Sequence, residues 1–210
     1  MWKSIALFCV AAACLPASAG GLSSLEKFVE TTRSGRADFK QVVTSPPKEG
    51  QAPRQKTSTG TFEFERPGRF RFVYKKPFEQ TIVADGRTLW MYDVDLNQVT
   101  SRDQSLVLGS TPAALIASAP DLSALKKDFE LRDAPPADGL EWVEATPKSR
   151  DGQLQRVAVG FKGAQLAALD ILDSFGQRSL LTFSGFEVNP LLESNAFQFQ
   201  PPAGVDVLRQ

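Results

Sequence analysis

The stretch that most constrains this chain is "GTFEFERPGRFRFVYKKP", residues 60–77, where two runs alternating aromatic with polar residues flank a Pro67–Gly68 turn. A period of two belongs to β-strands, so Phe62 and Phe64 share one face, as do Phe70, Phe72 and Tyr74. Glu63, Glu65, Arg69 and Arg71 take the opposite, water-facing parity. A face so rich in rings is either an ordinary sheet core or the lining of a hollow that accepts something apolar. The residues by themselves leave both readings open.

Similar runs fill most of the chain. Strands are predicted over 36–44, 58–66, 69–75, 79–84, 87–92 and 96–101, and again over 129–133, 140–146, 154–162, 165–172, 177–187 and 196–200. Pro67–Gly68, Lys76–Pro77, Asp85–Gly86, Asp95 to Asn97 and Asp151–Gly152 supply the turns. An amphipathic helix precedes the first strand: Leu22, Leu25, Phe28, Val29 and Thr32 recur at helical spacing, Ser23 or Ser24 can cap it, and it ends before Gly35. Between the two sets of strands, "STPAALIASAP" (110–120) has Ser110 or Thr111 as a cap, Pro112 in the first turn, and Leu115 and Ile116 as a short apolar body. A second short helix is predicted over 121–128. Residues 45–57 are polar, contain proline and lack periodicity, as a long hairpin tip would, and no role is assigned to them.

About eleven antiparallel strands in one domain must curl. The predicted fold is therefore mainly β: a curved, incomplete antiparallel barrel with the N-terminal helix and a short helical lid over its concave face. At 210 residues, the chain has room for one such domain over 20–210. The first 19 residues read as a secretory signal peptide, with Lys3, an apolar run from Ile5 to Leu15 and the small-residue site Ala17-Ser18-Ala19. That run falls short of the roughly 20 apolar residues that span a bilayer. Both cysteines, Cys9 and Cys14, lie within it, so the mature chain needs no disulfide. A processing site retaining a lipidated Cys14 is the rival reading.

The chain has no histidine, which excludes Ser-His-Asp and Cys-His nucleophiles and histidine-ligated metal sites. No Gly-rich phosphate loop is present, and 24 basic residues balance 24 acidic ones, leaving no electrostatic footprint for nucleic acid. Neither an enzyme nor a cofactor is expected.

Five collinear pieces, "ADFKQ" (37–41), "GTFEFERPGRFRFVYKKP" (60–77), "VADGRTLWMYDVDLNQVT" (83–100), "TPAALIA" (111–117) and "FQFQPPAGVDVL" (197–208), resemble the periplasmic outer-membrane lipoprotein carrier family, LolA. The resemblance implies an incomplete β-barrel with a helical lid that binds the acyl chains of triacylated lipoproteins. It also implies a monomer in the periplasm, loaded by an inner-membrane ABC lipoprotein exporter and unloaded by an outer-membrane lipoprotein receptor. Three acyl chains carry on the order of 45 methylenes, and at ~0.8 kcal/mol each their exposure to water would cost roughly 35 kcal/mol. Such cargo needs a covered apolar surface and no chemistry.

Carried onto this sequence, the resemblance implies a cavity wall of Phe62, Phe64, Phe70, Phe72, Tyr74 and Ile82 from the sheet, Leu25 and Val29 from the first helix, and Leu115 and Ile116 from the lid. One parity of 89–92 would join them. Arg66, on its own a solvated strand end, would by the resemblance be a latch hydrogen-bonded to lid carbonyls. Rivals in other classes are a lipid-anchored outer-membrane receptor of the same fold and a carrier or sensor of another lipid.

Overall fold

In the computed structural model the described residues are 20–47, 50–107, 116–117, 121–149 and 154–210. The expected signal peptide, Cys14, Leu115 and the Asp151–Gly152 turn lie outside them, as does all of the predicted lid helix except Ile116 and Ala117, which are helical. Helix α1 (Gly21–Thr31) is followed by β1 (Ser34–Thr44), β2 (Gln55–Glu65), β3 (Arg69–Lys76), β4 (Gln80–Asp85), β5 (Thr88–Asp93) and β6 (Gln98–Asp103). Helices α2 (Gln104–Val107) and α3 (Leu122–Asp128) lead to β7 (Phe129–Ala137), β8 (Leu140–Pro147), β9 (Leu154–Lys162), β10 (Gln165–Asp173), β11 (Arg178–Val188) and β12 (Asp206–Arg209).

All the strands form one twelve-stranded sheet in the order β12-β6-β5-β4-β3-β2-β1-β11-β10-β9-β8-β7. Its ends, β12 and β7, do not pair, so the barrel is incomplete, as predicted from the strand count. Two antiparallel meanders, β1–β6 and β7–β11, meet where β1 pairs with β11. The β2–β3 register sets Phe62 opposite Phe72 and Phe64 opposite Phe70, on the shared face that the alternation predicted.

That face is the core side. Leu25, Phe28 and Val29 of α1 are buried against it, and Phe28 touches rings from both meanders: Phe64 at 6.1 Å, Phe161 at 5.6 Å and Phe186 at 6.1 Å between centroids. The opposite face is polar and paired. Arg36 bonds Glu63 at 2.7 Å, and across β7–β11 the side chains of Arg132, Glu144, Arg156, Asp170 and Arg178 form a row of alternating ion pairs.

Two sequence expectations are corrected. Ser23 and Ser24 do not cap α1, because the helix begins earlier, at Gly21, and Gly20 in the cap position has no side chain to offer. A carboxylate from the far end of the sheet takes over: Leu22 N–H donates to Asp133 Oδ1 at 2.7 Å, while Ser24 Oγ donates to Glu141 at 2.6 Å. Second, residues 196–200 are not a strand. Turns closed by Ala196 N–H to Glu193 O and Gln198 N–H to Asn195 O, followed by Pro201 and Pro202, break the pattern. The segment instead straps the convex side of the first meander, with Phe199 against Trp90 and Tyr92 and Ala196 O accepting from Arg71. The chain then ends as β12, parallel to β6.

Helix α1 is seated so closely that a Cβ on Gly21 would stand 2.1 Å from the carbonyl oxygen of Trp142. Alanine ordinarily stabilises a helix over glycine by roughly 0.5–1 kcal/mol. Here Gly21→Ala is expected to destabilise by about 1–3 kcal/mol, because α1 must lift off β8. Thermal unfolding should show a Tm lower by about 2–10 °C, and a Tm unchanged or raised would refute the close seating.

Candidate functional site

Beyond the reach of α1, the concave face holds an apolar cavity of about 220 Å³. Phe70, Phe72, Tyr74 and Ile82 line it, as the resemblance implied for them, with Leu89 and Met91 from β5 beside them. The parity within 89–92 is thereby settled: Leu89 and Met91 face the cavity, whereas Trp90 and Tyr92 lie on the convex side under Phe199. The far wall comes from the second meander, through Leu169, Ile171 and Leu181, and Gln41 of β1 completes the lining.

The remaining expected wall residues sit behind this cavity. Phe62 and Phe64 are fully buried, Phe62 stacking on Phe72 with centroids 4.4 Å apart. Leu25, Val29 and Ile116 are buried in the same core from the covering side. The structure thus gathers all the described candidates into one cluster, with part of it bordering open space and part of it filled by α1.

Leu169, Ile171 and Leu181 escaped the sequence reading for a physical reason. Residues 166–172, "LAALDIL", are apolar on both parities, and the β9–β10 register shifts between Leu166 and Ala168. Alternation cannot assign a face across such a bulge.

Arg66 lies at the end of the trough beyond Phe64 and Phe70, away from Gln41. Its side chain is only 7% exposed, and its Nε donates to Ile116 O at 2.9 Å. Nη1 donates to Phe28 O and Val29 O, both at 3.3 Å, and to Thr32 O. The arginine thus bonds two segments, the 116–117 helical piece, where the resemblance implied lid carbonyls, and the C-terminal turn of α1, where Phe28 O also accepts from Thr32 N–H at 3.0 Å. The guanidinium also lies over the rings of Phe28 and Phe64, at 4.8 and 5.4 Å. Burial, with a smaller contribution from the charge of Arg33, lowers its pKa to about 10, so it remains charged at neutral pH.

Three neighbours reinforce this end. Gly68 N–H donates to Ala117 O at 2.7 Å, holding the 116–117 piece to the β2–β3 turn. Gln104, almost fully buried, donates to Gly68 O at 2.6 Å and accepts from Gly86 N–H at 2.9 Å, tying that turn to the β4–β5 turn. Asn189 accepts from Arg33 N–H and Ser34 N–H and donates to Thr31 O, fixing the corner between α1 and β1. A lone Gln or Asn in sequence carries no signal of such a role.

Comparison with known proteins places these features in a family. Residues 30–200 match the model described as outer membrane lipoprotein carrier protein LolA. An outer-membrane lipoprotein carrier protein from Albidiferax ferrireducens is 70% identical over 212 residues, spanning 99% of this chain and 100% of its own. A protein of the same name from Leptothrix cholodnii is 51% identical, spanning 97% of this chain and 92% of its own. A solved LolA superfamily protein from Nitrosomonas europaea aligns with a TM-score of 0.48 at 15% identity, covering 86% of this chain and 98% of that one. The chain belongs to the LolA family of outer-membrane lipoprotein carrier proteins.

Proposed function

We propose that this protein carries triacylated lipoproteins across the periplasm, sequestering their acyl chains in the concave trough, and that Arg66 sets the balance between holding and releasing them. The observation that carries this reading is the apolar cavity on the helix-covered face of an unclosed sheet, joined through its aromatic wall to the segments that Arg66 bonds. At about 220 Å³ the cavity is smaller than the ~300–1,000 Å³ of ordinary ligand pockets. Three acyl chains need more, so loading displaces α1 and the 116–117 piece from Phe62 and Phe64 and opens the space that they fill.

The cost of that opening makes delivery workable. A carrier that held its cargo with the full hydrophobic free energy could never give it up, so part is offset by stabilising the empty, closed form. Charge-assisted hydrogen bonds at ~1.5–3 kcal/mol each are of the right size. An ABC exporter in the inner membrane would drive loading, and a receptor at the outer membrane with a more avid cavity would accept the cargo. On this reading the leader, residues 1–19, exports the chain and is removed before Gly20.

The carrier assignment is tested by adding purified protein to spheroplasts and measuring released lipoproteins. One-to-one soluble complexes are expected, and a folded protein that releases none would refute it. The face assignment is tested with Ile82→Glu against Thr81→Glu. Both positions are half-buried and adjacent in β4, but only Ile82 lines the cavity. A carboxylate among acyl chains is desolvated, so Ile82→Glu should abolish loading while Thr81→Glu stays within about twofold of wild type. Equal defects in two folded variants would overturn the parity.

Arg66→Leu should load normally and transfer poorly, since it removes bonds from the closed form alone and raises retention. Each ~1.4 kcal/mol lost is worth tenfold, so transfer from preloaded protein to receptor should fall by about tenfold or more. Arg66→Lys, which keeps the charge without the fork, should be intermediate. Normal transfer by Arg66→Leu would reduce this arginine to a structural cap.

A further inference from the structure

The concave face changes character at one depth. Toward the end away from Arg66, ring and aliphatic side chains give way along each strand, within two residues of a common level, to hydrogen-bonding ones: Gln41 on β1, Ser58 on β2, Tyr74 on β3, Gln80 on β4 and Asp93 on β5. The register aligns Tyr74 with Gln80 and Gln80 with Asp93, while Gln41 and Ser58 pair with each other two residues further from Arg66, past the bulge that sets Tyr74 opposite Gly60, and all five line one cleft as a stepped polar row. Every member is half-buried. A wider cleft of about 510 Å³ begins at this row and shares Gln41 and Tyr74 with the apolar cavity.

Resting on the carrier reading, we propose that this row is a second subsite, which takes the polar junction of the cargo: the glyceryl ester and amide groups that join acyl chains to the first residues of the polypeptide. The chemistry of the two sides matches. Ester carbonyls accept hydrogen bonds and donate none, and the amide at the acylated cysteine and the peptide groups after it add N–H donors. Gln41, Ser58, Tyr74 and Gln80 supply donors, and Asp93 supplies the acceptor for those N–H groups. Burial raises the Tyr74 pKa to about 12, so its hydroxyl keeps the proton it donates. Drawn further in, the junction would leave its amide and esters unpaired among rings. Held further out, it would expose methylenes to water. The row thus sets how deep the chains go, and it favours acyl groups ending in an ester or amide over a plain hydrocarbon.

The experiment compares two ligands on the mature chain: a synthetic tripalmitoylated cysteinyl peptide, and diphenylhexatriene, a hydrocarbon fluorophore without hydrogen-bonding groups. Ser58→Val, Gln80→Leu and Asp93→Leu keep size while deleting a donor or the acceptor, and none of the three residues lines the apolar cavity. Each should weaken the peptide by about 3- to 10-fold, the worth of one hydrogen bond, and leave diphenylhexatriene within twofold. Peptide affinity unchanged in all three variants, or both ligands weakened alike, overturns the subsite while leaving the carrier reading in place. A wild-type protein that takes up diphenylhexatriene but not the peptide overturns both.

Discussion

The insertion of α1 into the concave face is the contact on which the rest depends. An open sheet of twelve strands has an apolar side that cannot close on itself, and Phe28 covers it where the two meanders meet, touching Phe64 from one and Phe161 and Phe186 near the other. The helix is held at both ends by groups from distant strands. Asp133 and Glu141 take the N-terminal turn, and Arg66 and Asn189 take the last one. Because α1 is a short helix, it fills only part of the trough, and the cavity lies in the part that it leaves uncovered. Core and site are one surface, divided by the length of α1.

Arg66 holds this arrangement by an unusual compensation. A buried guanidinium is costly, and among the described residues no carboxylate pairs with it; its partners are carbonyl oxygens and two ring faces. On the carrier reading proposed above, the carbonyls on α1 and on the 116–117 piece belong to the segments that loading would move. When they leave, water can hydrate the arginine in their place, so opening exchanges one set of partners for another and does not strand an ion. A carboxylate partner fixed on the sheet would keep the arginine satisfied in either form, and the lid would lose its hold.

How far the sequence could be read follows from the same physics. The first meander was legible down to individual faces, since Phe62, Phe64, Phe70, Phe72 and Tyr74 alternate with charged or small residues. The second was legible only as strands, because Leu169 and Ile171 stand in a run apolar on both parities and a bulge precedes them. Capping by Asp133 and Glu141, more than 100 positions from their helix, leaves no local trace. The C-terminal misreading has the opposite cause: Phe197 and Phe199 do alternate, but they cover the outside of the sheet from a strap and form no ladder of their own.

The two unpaired margins of the sheet bear on how such a molecule behaves in a crowd. A barrel that stops short of closing leaves two rows of peptide groups free to zip onto another copy, and a protein that ferries greasy freight through water meets many copies of itself and of its passengers. One margin is β7, where Pro135 and Pro136 remove two amide donors and the ladder slips between Ala134 and Ala137. The other is β12, only four residues long, with Asp206 and Arg209 at its ends. Both margins are poor templates for fibre growth. The openness that lets the trough admit a guest is thus kept from becoming an invitation to polymerise.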